Sequence, residues 1–380
     1  MKIMVSAGEV SGDLHGAFLV RELKKIAPDI LFFGLGSERL KSAGVDLRFD
    51  ISSRGTIGIF EALPNVLPIF IVYHRLIDLL KKEKPDLLLL IDSQGINMPL
   101  ARAAKKLGIK TVYYIAPQEW LWGTASGVKD VVKNIDLIIA IFEKEYNVYK
   151  KAGGNVVYFG HPLLDIVKPS LSREDARRKY LGSEENKLLI SLCPGSRTQE
   201  IKNLLPLLIK SAELIKKEFP DVLFFVPAAS DYIAKRISSQ LGSFKAQIII
   251  GQTYDLLYAS DLALCASGTV NLEASILGLP NIMIYKLSSL TYFIGKHILK
   301  IDKKLPFFSM PNIVLNENII PELVMGKANP SLIAREALSV LKDSSRVKYM
   351  KKSFIRLKEL LGPSGSLPKI ARSIINFLSR

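Results

Sequence analysis

The chain has 380 residues, 48% of them hydrophobic and 23% charged, and a formal net charge of +16. That length exceeds one ordinary core and predicts two domains, and the composition excludes a disordered chain. No run approaches the roughly 18 consecutive apolar residues of a bilayer-crossing helix, so an integral membrane protein is not expected. At the start, Lys2-Ile3-Met4-Val5 reads as a buried strand and leads into SAGEVSGDLHG, residues 6–16, with a helix pattern (Ala17, Leu19, Val20, Leu23) directly after. Gly8, Gly12 and Gly16 are more glycine than a turn needs, which suggests that something approaches the backbone there. Glu9 and Asp13 add two carboxylates to the same turn.

Further strands are predicted at 31–34, 87–91, 111–115, 137–141 and 156–159, with helices at 14–26, 68–82 and 98–107 between them. The second half repeats the rhythm. Its strands read as 188–193, 223–226, 247–250, 262–265 and 281–285, with helices at 203–217 and 272–277. Alternation of this kind implies doubly wound parallel sheets. The predicted fold is α/β, two facing Rossmann-like domains with a cleft between them. Their boundaries are 1–168 and 169–348, joined through DIVKPSLSRE at 165–174, and C-terminal helices at 349–380 could cross back to the first domain.

In such sheets ligands bind beyond the carboxyl ends of the strands, which selects the turns to read. CPGSRTQEI, 193–201, opens a helix with Gly195, Ser196 and Arg197. Backbone N–H groups and a fixed guanidinium make a diphosphate cradle, although an ordinary turn with a surface arginine reads the same way. ASGTVNLEAS, 266–275, repeats the style with Ser267, Gly268 and Thr269. Glu273, one turn on, suits a pair of ribose hydroxyls or a capping box. Two such turns in one half-chain favour a nucleotide diphosphate.

LIDSQGIN, 90–97, ends an apolar strand on Asp92, where partial desolvation suits a general base. An N-cap role is the alternative, with Asn97 the better-placed cap. Trp120 and Trp122 in PQEWLWG read as core or rim aromatics, and His161 in GHPLLD as a turn histidine. The four histidines show no metal-ligand spacing, so no metal site is expected. Cys193 and Cys265 lie far apart in apolar runs, which predicts a reduced, cytosolic compartment without a disulfide framework. The N-terminus carries no signal-peptide pattern.

The charge is uneven. Residues 1–165 carry 21 Lys and Arg against 18 Asp and Glu, and residues 166–380 carry 31 against 18. The excess gathers at Lys286, Lys296, Lys300, Lys303 and Lys304, and again from Arg346 to Lys358. Such a surface suits phosphates or anionic lipid head groups, or is simply a solvated face. Nucleic acid is disfavoured, because no aromatic interleaving or binding motif accompanies the charge. The apolar stretch 59–76 fits either a core helix or a lipid-facing patch.

Taken in order, SAGEVSGDLHG, GSERLKSAG, TIGIFEAL, KPDLLLLIDSQGIN, APQEWLWG, FGHPLLD, LCPGSRTQEI, ASGTVNLEASILGLPNIMIYK and MPNIV resemble the lipid-A-disaccharide synthases, glycosyltransferases of the GT-B fold. The resemblance implies transfer of 2,3-diacylglucosamine from its UDP carrier to the 6-hydroxyl of 2,3-diacylglucosamine 1-phosphate, with inversion and without a metal cofactor. It implies Asp92 as catalytic base, and Glu9 and Asp13 beside the reacting groups. It places Gly8, Ser11, Gly12 and Asn97 on substrate, and UDP against residues 195–197 and 267–269, with Glu273 on the ribose. Asn312 in MPNIV matches a family asparagine. The implied setting is the cytoplasmic surface of the inner membrane, without nucleic acid, and a homodimer stays open. Two positions depart from the family pattern: Gly95 stands where a second carboxylate is usual, and Met325 where glutamine is frequent. The alternatives are another UDP-sugar enzyme of the fold, an N-acetylglucosaminyl transferase or a UDP-N-acetylglucosamine epimerase, and a non-catalytic binder of anionic lipid or nucleic acid.

Overall fold

A computed structural model describes residues 1–50, 67–121, 123–286 and 306–379. The chain divides into two compact units, the first formed by Met1–Ile166 with the segment from Leu361 on, the second by Val167–Leu360. The first unit begins with β1 (Lys2–Ala7), α1 (Val10–Ile26), β2 (Leu31–Gly36), α2 (Glu38–Ser42) and β3 (Asp46–Asp50). It continues with α3 (Leu67–Glu83), β4 (Leu87–Ile91), α4 (Gln94–Lys106), β5 (Lys110–Tyr114) and α5 (Ala125–Asn134). After these come β6 (Leu137–Ala140), α6 (Glu143–Lys151), β7 (Val156–Tyr158) and α7 (Leu163–Ile166). The seven strands are all parallel, in the order β3-β2-β1-β4-β5-β6-β7. A parallel sheet is covered on both faces, so its central strands are apolar throughout. All five residues of β4 are fully buried.

The second unit repeats the plan. It runs α8 (Arg173–Leu181), β8 (Leu189–Cys193), α9 (Thr198–Glu218), β9 (Leu223–Ala228), α10 (Asp231–Leu241) and β10 (Gln247–Ile250). Next come α11 (Thr253–Ala259), β11 (Leu262–Ala266), α12 (Thr269–Ile276) and β12 (Asn281–Tyr285). It ends with α13 (Met310–Leu315), β13 (Glu322–Val324), α14 (Pro330–Lys342) and α15 (Ser344–Leu360). Six parallel strands stand in the order β10-β9-β8-β11-β12-β13. In each sheet the winding reverses between the first strand and the fourth, that is, at β1/β4 and at β8/β11.

The C-terminal helices do not form one region over 349–380. α15 belongs to the second unit, while α16 (Ser366–Leu378) belongs to the first and packs on α1. FGHPLLD is where α16 docks. Asp165 accepts from the N–H groups of Gly365 (2.5 Å) and Leu367 (3.0 Å) and from the Ser366 hydroxyl (3.0 Å), satisfying the start of the helix. The motif TIGIFEAL, Trp122, the lysines at 296, 300, 303 and 304, and residues 59–66 of the apolar stretch 59–76 lie outside the described residues. Among the described residues no helix is long and apolar enough to cross a membrane.

Candidate active site

The first switch point joins the two turns that stood out in the sequence. β1 delivers Gly8 and Glu9, and β4 delivers Asp92, with Ala7 and Ile91 paired in register just before them. Asp92 and Ser93 both take left-handed backbone conformations (φ 53° and 50°), unusual for residues with side chains and costing roughly 1–3 kcal/mol each. The surroundings hold them there. The Asp92 carbonyl accepts from the Asn97 amide (2.7 Å) and the Tyr113 hydroxyl (2.7 Å). The Asp92 carboxylate, half-buried, accepts from the Ser11 hydroxyl (3.0 Å) and the Ser93 N–H (2.8 Å). Half-buried Glu9 stands at the start of α1.

Two residues expected at the substrate turn inward instead. Asp13 is buried, and its carboxylate accepts from the N–H groups of Ser37 (2.6 Å), Arg39 (3.2 Å) and Leu40 (3.3 Å), capping α2. Burial raises its proton affinity, and those hydrogen bonds oppose the rise. The structure thus places it against the start of α2, not at the surface of the turn. Asn97 is fully buried: its amide also donates to the carbonyls of Ser6 and Ile91, and its oxygen accepts from the Ser6 hydroxyl (2.7 Å). It fastens the β1 and β4 turns together rather than facing a ligand. The glycines serve the same packing. A side chain at Gly12 would come within 3.2 Å of the Ile91 carbonyl, and one at Gly16 within 2.8 Å of the Ile91 side chain. They let α1 lie close on β4, and that contact, more than a ligand at the backbone, explains the glycine spacing. A Cβ added at Gly95 would meet nothing within 4 Å, so local packing does not require glycine there.

At the second switch point the turns after β8 and β11 stand side by side. Gly195 has φ 102°, and a side chain on it would strike Glu200, the closest atom being 2.3 Å away. Arg197 precedes the 21-residue helix α9, its side chain half-exposed. Glu200 accepts from the Arg197 N–H (3.3 Å) and pairs with its guanidinium (3.6 Å), a partner the sequence reading missed. Across the next turn, Ser267 is half-buried, while Gly268 and Thr269 are exposed at the start of α12. Glu273 is the fifth residue of that helix, past the third position that a capping box requires. It is 7% exposed and accepts from the Tyr254 hydroxyl (3.5 Å). Tyr254 and Tyr285 both went unmarked in the sequence. The Tyr285 phenol is pushed up by burial and by the charge of Glu200, and pulled down by that of Arg197.

Asn312 is fully buried. Its amide donates to the Ile320 carbonyl (2.9 Å) and Glu322 (2.8 Å), and its oxygen accepts from the N–H groups of Ile319 and Ile320. Its hydrogen-bonding capacity goes to joining α13 to β13, not to a ligand. Cys193 and Cys265, 72 residues apart, are direct register partners at the ends of β8 and β11, both as buried free thiols. A cavity of about 970 Å³, lined by Met1, Lys84, Lys110 and Leu378, lies at the amino ends of β1, β4 and β5, the opposite edge from these turns.

A family model described as lipid-A-disaccharide synthetase matches residues 3–369. The chain belongs to that family. Similar members are the lipid-A-disaccharide synthases of Geobacter sulfurreducens and Gloeothece citriformis. The first is 36% identical, covering all of this chain and 98% of the relative; the second is 37% identical, covering all of both. Among solved structures, UDP-GlcNAc 2-epimerase from Neisseria meningitidis, bound to UDP-GlcNAc, superposes with a TM-score of 0.66 at 15% identity and full coverage of both chains. That likeness shows the GT-B fold class. Membership in the lipid-A-disaccharide synthase family makes the chain a glycosyltransferase of lipid A biosynthesis. In the first unit Glu9, Ser11 and Asp92 keep partly exposed side chains; in the second, Ser196, Arg197, Ser267 and Thr269 do so, while Glu273 is buried in α12. Among the described residues no group of three His, Cys, Asp or Glu side chains gathers as a cation site would require.

Proposed function

We propose that the chain transfers 2,3-diacylglucosamine from UDP to the 6-hydroxyl of 2,3-diacylglucosamine 1-phosphate with inversion at the anomeric carbon. The reading rests above all on Asp92, a carboxylate held at a switch point by Ser11 and by the Ser93 N–H. As the acceptor oxygen attacks, Asp92 takes its proton. The new bond forms on the face of the sugar opposite UDP, and the bond from the anomeric carbon to the phosphate oxygen breaks. UDP leaves with the electron pair. The turns of the second unit supply what that charge needs: N–H groups opening α9 and α12, and the Arg197 guanidinium. This assigns the stabilisation to the chain's own groups, without a cofactor. Glu273 takes the ribose hydroxyls. Because both sugars are acylated, the enzyme works as a peripheral protein on the cytoplasmic face of the inner membrane.

The test is UDP release from purified protein given both acylated sugars, and each alone. Release that requires both, with one disaccharide formed per UDP, is the expected result. Conversion of the UDP-sugar without acceptor would instead indicate an epimerase-type reaction.

A further inference from the structure

The helix α15 carries a surface that the reaction does not use. Its inner face, Met350, Ser353, Phe354 and Leu357, is buried. Lys348, Lys351, Lys352, Ile355 and Lys358 recur every three or four residues and are all exposed, forming one stripe along the outer face. Ile355, in the middle of the stripe, is 61% exposed; Tyr349, whose hydroxyl donates to Glu317 (3.4 Å), lies round toward the flank of the helix. The helix holds six cations against one acid, Glu359. Two of the six are neutralised locally, Arg346 by Glu336 and Arg356 by Glu317. Among the described residues the four lysines of the stripe form no ion pair. Neighbouring like charges weaken a helix, and an exposed isoleucine among them gains nothing from folding. The pattern is explained by what lies outside it.

We propose that the outer face of α15 docks on an anionic membrane surface, the lysines reaching head groups while Ile355 enters the boundary beneath them. Charge complementarity selects this partner: a second copy would bring like charges together, and nucleic acid would leave the Ile355 side chain in water. The proposal rests on the reading that the substrates are acylated and held in a bilayer.

The full chain is sedimented with vesicles of phosphatidylcholine alone and of phosphatidylcholine mixed with phosphatidylglycerol. The protein binds the mixed vesicles, and rising salt weakens the binding. Replacing Lys348, Lys351 and Lys352 together by Gln lowers partition on the order of 100-fold, about fivefold per lysine near the surface. Ile355→Asp also lowers it, and the triple variant melts no lower than the parent, because its side chains are exposed and removing like charges relieves the helix. Equal partition of the triple variant and the parent overturns the proposal. So does parent binding that ignores phosphatidylglycerol, or binding to nucleic acid in preference to mixed vesicles. UDP release from detergent-dispersed substrates is unchanged in these variants. A parent that releases no UDP there counts against the proposed reaction and leaves the vesicle result to stand or fall by itself.

Discussion

Asp13 and Asp92 are the same residue type in two glycine-bearing turns, but Asp13 is buried against α2 and Asp92 is half-buried at its turn. The sequence locates both at strand ends but cannot show which way a carboxylate faces. The partners of Asp13 lie 24 to 27 residues downstream, at the start of a five-residue helix that periodicity does not detect. Asn97 and Asn312 were hidden for the same reason, since their bonds close loops between elements. Glu145 gave no signal at all. It is fully buried in α6, accepting from the N–H groups of Ile141 (2.8 Å) and Phe142 (3.3 Å) through Oε2, and burial pushes its carboxyl up to about 8. Its folded value lies above the unfolded 4.5, so its contribution to stability is fully present below 4.5 and lost as pH rises through 8. His15 works in the other direction: burial lowers it to about 4, so its contribution is lost as pH falls from 6.5 through that value. Between pH 6.5 and 8 the Glu145 effect therefore stands clear of His15. Glu145→Gln should remove a slope of up to about 1.4 kcal/mol per pH unit in that window. Its melting temperature, compared with the parent, should gain steadily as pH rises; parallel curves would refute the buried-acid assignment.

At the level of elements, the apolar strands were readable because a parallel sheet demands continuous burial. β3 and β13 were not: DLRFD is half-exposed and ELV has three residues, and each strand lies at a sheet edge. Helix starts were placed too late. α4 begins at Gln94 and α9 at Thr198, while the apolar pattern becomes visible only at Met98 and Asn203. In both cases the polar turn read as a loop runs straight into the helix, which is what aims N–H groups outward. FGHPLLD reads in the sequence as a turn after a strand, and its aspartate serves α16. Asp165→Ala should cost about 2 kcal/mol, near the upper range for a helix cap. Hydrogen exchange should quicken in residues 366–378 before it does in β1 and β4. Uniform protection across the first unit would show that α16 does not depend on this contact.

Across the whole molecule, two units of the same strand order carry different chemistry at their switch points. One holds a carboxylate fixed by strained backbone, and the other holds helix-opening turns with a guanidinium. The order of motifs along the chain made the family legible, because no single turn is specific while their succession is. The division of labour between the units is the central claim, and Asp92→Asn tests it most directly. The amide keeps the shape of the side chain but cannot take a proton from the acceptor. Turnover should fall by roughly 10²–10⁴, while titration with UDP returns the parent affinity. Turnover near the parent rate would remove Asp92 as the base, and a matching loss of UDP affinity would contradict the separation of the two sites.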